Sequence, residues 1–130
     1  MNVTTIRRVY KFSAAHRLPN VPPGHKCGRM HGHNYKVTLA ITGPVCPRLG
    51  WVMDFAAIDL LWAPLAERFD HRCLNDVLDN PTSELLARFI ALNLGLMPSL
   101  ELAVTVSESD SSSATYGGAP WPKPTVIFPK

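Results

Sequence analysis

Cysteine is scarce in this sequence: three in 130 residues, an odd number at unrelated positions, which excludes a disulfide framework and points to a reducing compartment. Long apolar runs are missing as well. Hydrophobic residues make up 46% of the chain, yet no segment approaches the roughly 18 consecutive apolar residues that a membrane helix requires. Residues Met1 to Lys11 mix Thr, Arg and β-branched side chains and lack the apolar centre of an export signal, so the expected location is the cytoplasm. Charge is modest, with a net value of +3, too small by itself to imply nucleic acid. It suits an anionic small molecule if the basic groups cluster. There is no internal repeat and no interior linker, and the length is that of one domain with a core of its own.

Read for period, the chain gives strand, strand, helix, helix, strand and a weaker final strand. The first strand covers about Val3 to Ala15, with Tyr10, Phe12 and Ala14 sharing the parity of His16. A Pro- and Gly-rich loop, Pro19 to Gly28, leads to a second strand in which Tyr35, Val37, Leu39 and Ile41 continue the face of His33 and which ends at Gly43-Pro44. Asp54 is a natural N-cap for a helix with Phe55, Ile58, Leu61, Trp62 and Leu65 on one stripe; Pro64 should kink or shorten it, and it should end near Phe69. A second helix begins within Asn80-Pro81-Thr82-Ser83-Glu84, buries Leu85, Phe89, Leu92 and Leu96, and is closed by Gly95 and Pro98. The third strand alternates, with Leu100, Leu102, Val104 and Val106 inward, and the same parity turns Glu108 inward at its end. A carboxylate there needs a partner.

The segment Cys27-Gly-Arg-Met-His31-Gly-His33 carries the chemistry. Side chains at i and i+2 of a strand point to one face, so His31 and His33 can reach a single ion. His16, at the end of another apolar strand face, is the natural third ligand. Three His ligands leave a fourth position open, the pattern of a catalytic zinc site in which the metal polarises a substrate oxygen or acidifies bound water. The plainer reading is a polar strand end with one satisfied interior histidine. Cys27 lies between Lys26 and Arg29, which should drive its thiol towards thiolate and make it a base or nucleophile. The alternative is that Cys27 joins His31 and His33 in a closed structural site. Asp70-His71 follows the first helix, and a carboxylate beside an imidazole can hold its tautomer for proton transfer, although a helix C-terminus with a solvated Asp has the same sequence. Cys46, Cys73 and His25 have no reading beyond local structure.

Together these residues resemble the 6-pyruvoyltetrahydropterin synthase family, from Tyr10 to about Tyr116. The resemblance is carried by Phe12-Ser13-Ala14-Ala15-His16-Arg17-Leu18, Cys27 to Lys36, Gly50-Trp51-Val52-Met53-Asp54-Phe55, Asp70-His71 with Leu74-Asn75, Pro81-Thr82-Ser83-Glu84 and Val106-Ser107-Glu108. Three residues between Cys27 and His31-Gly32-His33 are similar to the family's bacterial 6-carboxytetrahydropterin synthases of queuosine biosynthesis. The resemblance implies an α+β tunnelling fold (ββααββ, an antiparallel sheet with two helices on one face) spanning residues 1–118, followed by a Pro-rich tail, 119–130. It implies zinc on His16, His31 and His33, Cys27 as base, Asp70 and His71 as the acid–base pair, and Glu108 as the pterin anchor. That anchor has a physical reason, since two carboxylate oxygens can accept the paired N–H donors of an aminopyrimidinone. Lys26 and Arg17, with Lys11 and Arg29, are candidates for binding a triphosphate. The implied reaction converts 7,8-dihydroneopterin triphosphate to 6-carboxytetrahydropterin, acetaldehyde and triphosphate; the alternatives are a 6-pyruvoyl product, or zinc and pterin binding without turnover. The implied assembly is a homohexamer, a dimer of trimers whose sheets form a barrel with sites between subunits, and neither nucleic acid nor membrane is an expected partner.

Overall fold

A computed structural model describes residues 3–117, so the tail 119–130 expected from sequence lies outside the described residues. The elements are β1 (Val3–His16), β2 (His31–Pro44), α1 (Phe55–Phe69), β3 (Arg72–Cys73), α2 (Ser83–Asn93), β4 (Glu101–Ser109) and β5 (Ser112–Gly117). The five strands form one sheet in the order β3-β1-β2-β4-β5. All pairs are antiparallel except the short β3, which runs parallel to β1 opposite Ala14 and Ala15. This two-residue strand between the helices was not legible as a period, because two residues make none.

Strand parity fixes which face is buried. Phe12, Ala14 and His16 on β1, Tyr35, Val37, Leu39 and Ile41 on β2, and Val104 and Val106 on β4 all lie inward, beneath the two helices. Aromatic packing fills the layer between sheet and α1: Tyr10 stacks on Trp62 at 4.8 Å and Phe12 on Tyr35 at 5.1 Å between ring centroids. Burying side chains of this size stabilises the fold by about 1.5–3 kcal/mol each. A second tie is polar. Arg8 donates to both oxygens of Asp59 at 2.9 and 2.8 Å, and the Tyr10 hydroxyl donates to the same carboxylate, joining β1 to α1.

The helices begin where capping chemistry places them. Asp54 accepts from the Ala56 amide at 2.9 Å and Thr82 from the Leu85 amide at 3.1 Å. Pro64 stays inside α1, on its exposed side, and the helix still reaches Phe69. Two expected faces are corrected. Phe55 is exposed, at the first turn of α1, where the Arg8 guanidinium lies over its ring. In α2 the buried apolar set is Leu86, Ala87, Phe89 and Ile90, while Leu85 and Leu92 are only partly covered. Apolar residues occupy more than one stripe of this helix, so the position of the sheet decides which stripe faces inward.

Candidate active site

Two strand registers build the centre of the site. His16 is directly opposite His31, and Ala14 opposite His33, so the three imidazoles project from two neighbouring rungs of the β1–β2 pair towards the helix side. Their ligand nitrogens all lie within 4.8 Å of one another, as the sequence spacing requires of a metal triad. His16 is buried; His31 and His33 are partly exposed.

Backbone carbonyls set the ring tautomers. His16 Nδ1 is 2.8 Å from the Pro81 carbonyl oxygen, and His31 Nδ1 is 2.7 Å from that of Arg29. A carbonyl only accepts, so each Nδ1 carries the proton and each Nε2 presents a lone pair. Those two Nε2 atoms face each other at 3.0 Å. Facing lone pairs repel unless a cation or a proton lies between them. Burial also pushes the His16 pKa down, against the opposite pull of the Pro81 carbonyl and Glu108, which favours the neutral form that ligates metal. His33 Nε2 is buried and makes no hydrogen bond, with Glu108 Oε2 3.0 Å away. Three converging imidazoles with an orphaned nitrogen fit a borderline-soft divalent cation such as zinc.

Glu108 reaches this cluster from the end of β4. Its Oε2 is also 3.9 Å from His16 Nε2, and its Oε1 accepts from the Ser83 hydroxyl at 2.7 Å. The inward parity expected of Glu108 thus has its partners. Tyr35 lies beneath, its hydroxyl 3.2 Å from His16 Nδ1; burial and the nearby Glu108 charge push its pKa up and keep it protonated.

Cys27 stands in a single 3₁₀ turn, Lys26–Gly28, half-buried and outside the imidazole group. Its amide donates to His25 Nδ1 at 3.0 Å, and its carbonyl accepts from the Leu18 amide at 2.8 Å, pinning the turn to the end of β1. The closed Cys27-His31-His33 site is therefore not formed. Asp70 and His71 do touch, at 3.0 Å, directly after α1. His71 adopts a left-handed backbone (φ 59°), and the Ser13 amide donating to Asp70 holds that carboxyl below its usual range, with His71 adding to the effect. Neither residue has a hydrogen bond or ion pair with Cys27 within the chain. His71 and His33 line one open cleft of about 490 Å³, together with Ser13, Asn34, Arg72 and Cys73. Arg17 is fixed through its backbone, which exchanges hydrogen bonds with the Asn75 side chain at 2.9 Å each way, and its side chain, like that of Lys26, is exposed. Ser83, Pro81, Tyr35 and Asn75 were missed as site residues by sequence reasoning; each acts across a long separation that no local pattern encodes.

The family model described as 6-pyruvoyl tetrahydropterin synthase matches residues 5–119. The chain is 34% identical over 120 residues to the 6-carboxy-5,6,7,8-tetrahydropterin synthase of Synechocystis sp., covering 85% of this chain and 91% of that protein. Over 74 residues it is 46% identical to a protein of Archaeoglobus fulgidus, a match that spans 56% of this chain and 60% of the relative. The solved 6-pyruvoyl tetrahydropterin synthase of Caenorhabditis elegans superimposes with a TM-score of 0.80 at 30% identity, covering 92% of this chain and 98% of that one. No helix among the described residues is long and apolar enough to cross a membrane.

Proposed function

This chain belongs to the 6-pyruvoyl tetrahydropterin synthase family, a family of pterin-transforming enzymes, and on that premise we propose that it is a zinc-dependent 6-carboxy-5,6,7,8-tetrahydropterin synthase of queuosine biosynthesis. The substrate is 7,8-dihydroneopterin triphosphate, which with water gives 6-carboxytetrahydropterin, acetaldehyde and triphosphate. The observation that carries the reading is the convergence of His16, His31 and His33 beside the inward carboxylate of Glu108. It supports a metal position beside a pterin anchor.

His16, His31 and His33 would hold the metal. When bound, zinc supplies Lewis acidity to the substrate's side-chain oxygens. Glu108 accepts the paired N–H donors of the pterin and orients the ring. Cys27 takes the carbon-bound proton next to the ring, and His71, held by Asp70, moves protons during the rearrangement, triphosphate loss and carbon–carbon cleavage. Asp70 and His71 have no hydrogen bond or ion pair with Cys27 of their own chain, and on this reading they serve the Cys27 of a neighbouring subunit in a homohexamer, in the cytoplasm. Arg17 and Lys26, exposed beside the site, hold the triphosphate.

The likeness to the C. elegans enzyme supports a second reading, formation of a 6-pyruvoyl pterin on the same residues. Incubating the zinc-loaded chain with 7,8-dihydroneopterin triphosphate and weighing the pterin product by mass spectrometry separates them. A 6-carboxy product is expected. A 6-pyruvoyl product moves the chain to the second reading, and no turnover leaves zinc and pterin binding alone.

A further inference from the structure

β1 ends at His16, and Arg17 and Leu18 beyond it belong to no regular element. Yet this short stretch joins two groups of the site. His16 precedes it, and the Leu18 amide donates to the Cys27 carbonyl at 2.8 Å, so the turn that carries Cys27 hangs on Leu18. Where Cys27 stands relative to the imidazoles therefore depends on the path of the chain through Arg17. That path is held by a side chain 58 positions away. Asn75 Oδ1 accepts from the Arg17 amide, and Asn75 Nδ2 donates to the Arg17 carbonyl, both at 2.9 Å. An amide N–H only donates and a carbonyl only accepts, so the pairing admits one orientation of the Asn75 amide. The side chain acts as a peptide group added to β3: that strand pairs with Ala14 and Ala15, and Asn75 carries the pairing on to Arg17. Its mount is packed, a 3₁₀ turn over Leu74–Asp76 with Leu74 and the following Val77 both buried.

The geometry points to Asn75 as a positioning residue that sets Cys27 against the metal ligand His16. This rests on the pterin synthase reading and adds to it the group that fixes base and metal relative to each other. Asn75 touches neither of them. It acts through the Arg17 peptide, with His16 on one side and the anchor of the Cys27 turn on the other. Asn75→Asp separates this role from packing, because the shape and the acceptor for the Arg17 amide are kept while an oxygen replaces the donor and faces the Arg17 carbonyl. Two acceptors face to face repel, and the clamp opens on that side. Glu108 makes no contact with the clamp, so the pterin anchor is left as it was.

The test uses the full chain with Asn75→Asp, at a temperature where circular dichroism shows the variant folded; Asn75→Ala, which removes both hydrogen bonds, carries the same expectation if the first variant does not fold. Turnover of 7,8-dihydroneopterin triphosphate is followed at saturating zinc, and zinc affinity is measured by competition with a chromophoric chelator. In the variant kcat is expected to fall roughly tenfold to a hundredfold while KM stays within about twofold, and zinc affinity to fall about tenfold. A merely structural role would lower the urea midpoint and leave kcat and zinc affinity of the folded protein unchanged. Wild-type kcat or wild-type zinc affinity in the folded variant overturns the assignment, as does a loss confined to KM. If the wild-type chain does not turn the substrate over, the pterin reading has failed; the zinc competition then decides whether Asn75 positions His16, since equal affinity in variant and wild type overturns it.

Discussion

A carbonyl oxygen that can only accept decides what the far side of an imidazole does. Pro81 and Arg29 hold the Nδ1 protons of His16 and His31, which leaves both Nε2 lone pairs aimed into the same space. This repulsion is relieved by a cation, so removing one ring should remove the metal. His31→Ala is expected to lose zinc on dialysis while wild type retains it, as read by elemental analysis, and chelation of wild type should lower its melting temperature, by the equivalent of about 4 kcal/mol where free zinc had exceeded Kd a thousandfold. The same residue logic applies to Asp70. Its folded pKa is depressed by the Ser13 amide and by His71, so it contributes stability that is present above the ordinary carboxylate range and lost as pH falls through its folded pKa. Urea midpoints for wild type and Asp70→Asn should differ at neutral pH and converge as pH falls through the carboxylate range; a gap independent of pH would remove Asp70's charge from the account.

At the scale of elements, much of the architecture was written in parity. The alternation from Tyr35 to Ile41 placed His33 on the buried face, and the register of β1 against β2 then set His16 opposite His31. Period alone could not decide α2, where Leu85, Leu86, Phe89, Ile90 and Leu92 offer several apolar stripes, nor could it show that Phe55 stays outside under Arg8. The support from Ser83 to Glu108 was out of reach for a different reason, since it spans 25 positions and depends on how α2 lies against β4. The uncovered face of the sheet carries its own consequence. Lys11 and Lys36 are direct partners there, and like charges on one rung destabilise a strand pair. Lys36→Glu is therefore expected to raise the unfolding free energy by about 0.2–1 kcal/mol in low salt, with the gain shrinking as salt is added. No gain at low salt would mean that the rung is already neutralised.

Across the whole molecule, the described chain leaves most of the outer edge of β1 unpaired, because β3 covers only its last residues. Asp70 and His71 also have no hydrogen bond or ion pair with Cys27 of the same chain. Shared sites in an oligomer would unite them, and complementation tests this. Cys27→Ala and His71→Ala chains, each inactive alone, should regain activity when assembled together, up to roughly a quarter of wild type if each site draws the two groups independently from two subunits; a mixture as inactive as its parts would place both groups in one chain. The central claim is the reaction itself, and acetaldehyde is its most direct witness, since only cleavage of the substrate's carbon–carbon bond releases it. The measurement is acetaldehyde formed against 7,8-dihydroneopterin triphosphate consumed by the zinc-loaded protein. Release in equal amounts, abolished by Cys27→Ala, is the predicted result, whereas consumption of substrate without acetaldehyde would contradict the account.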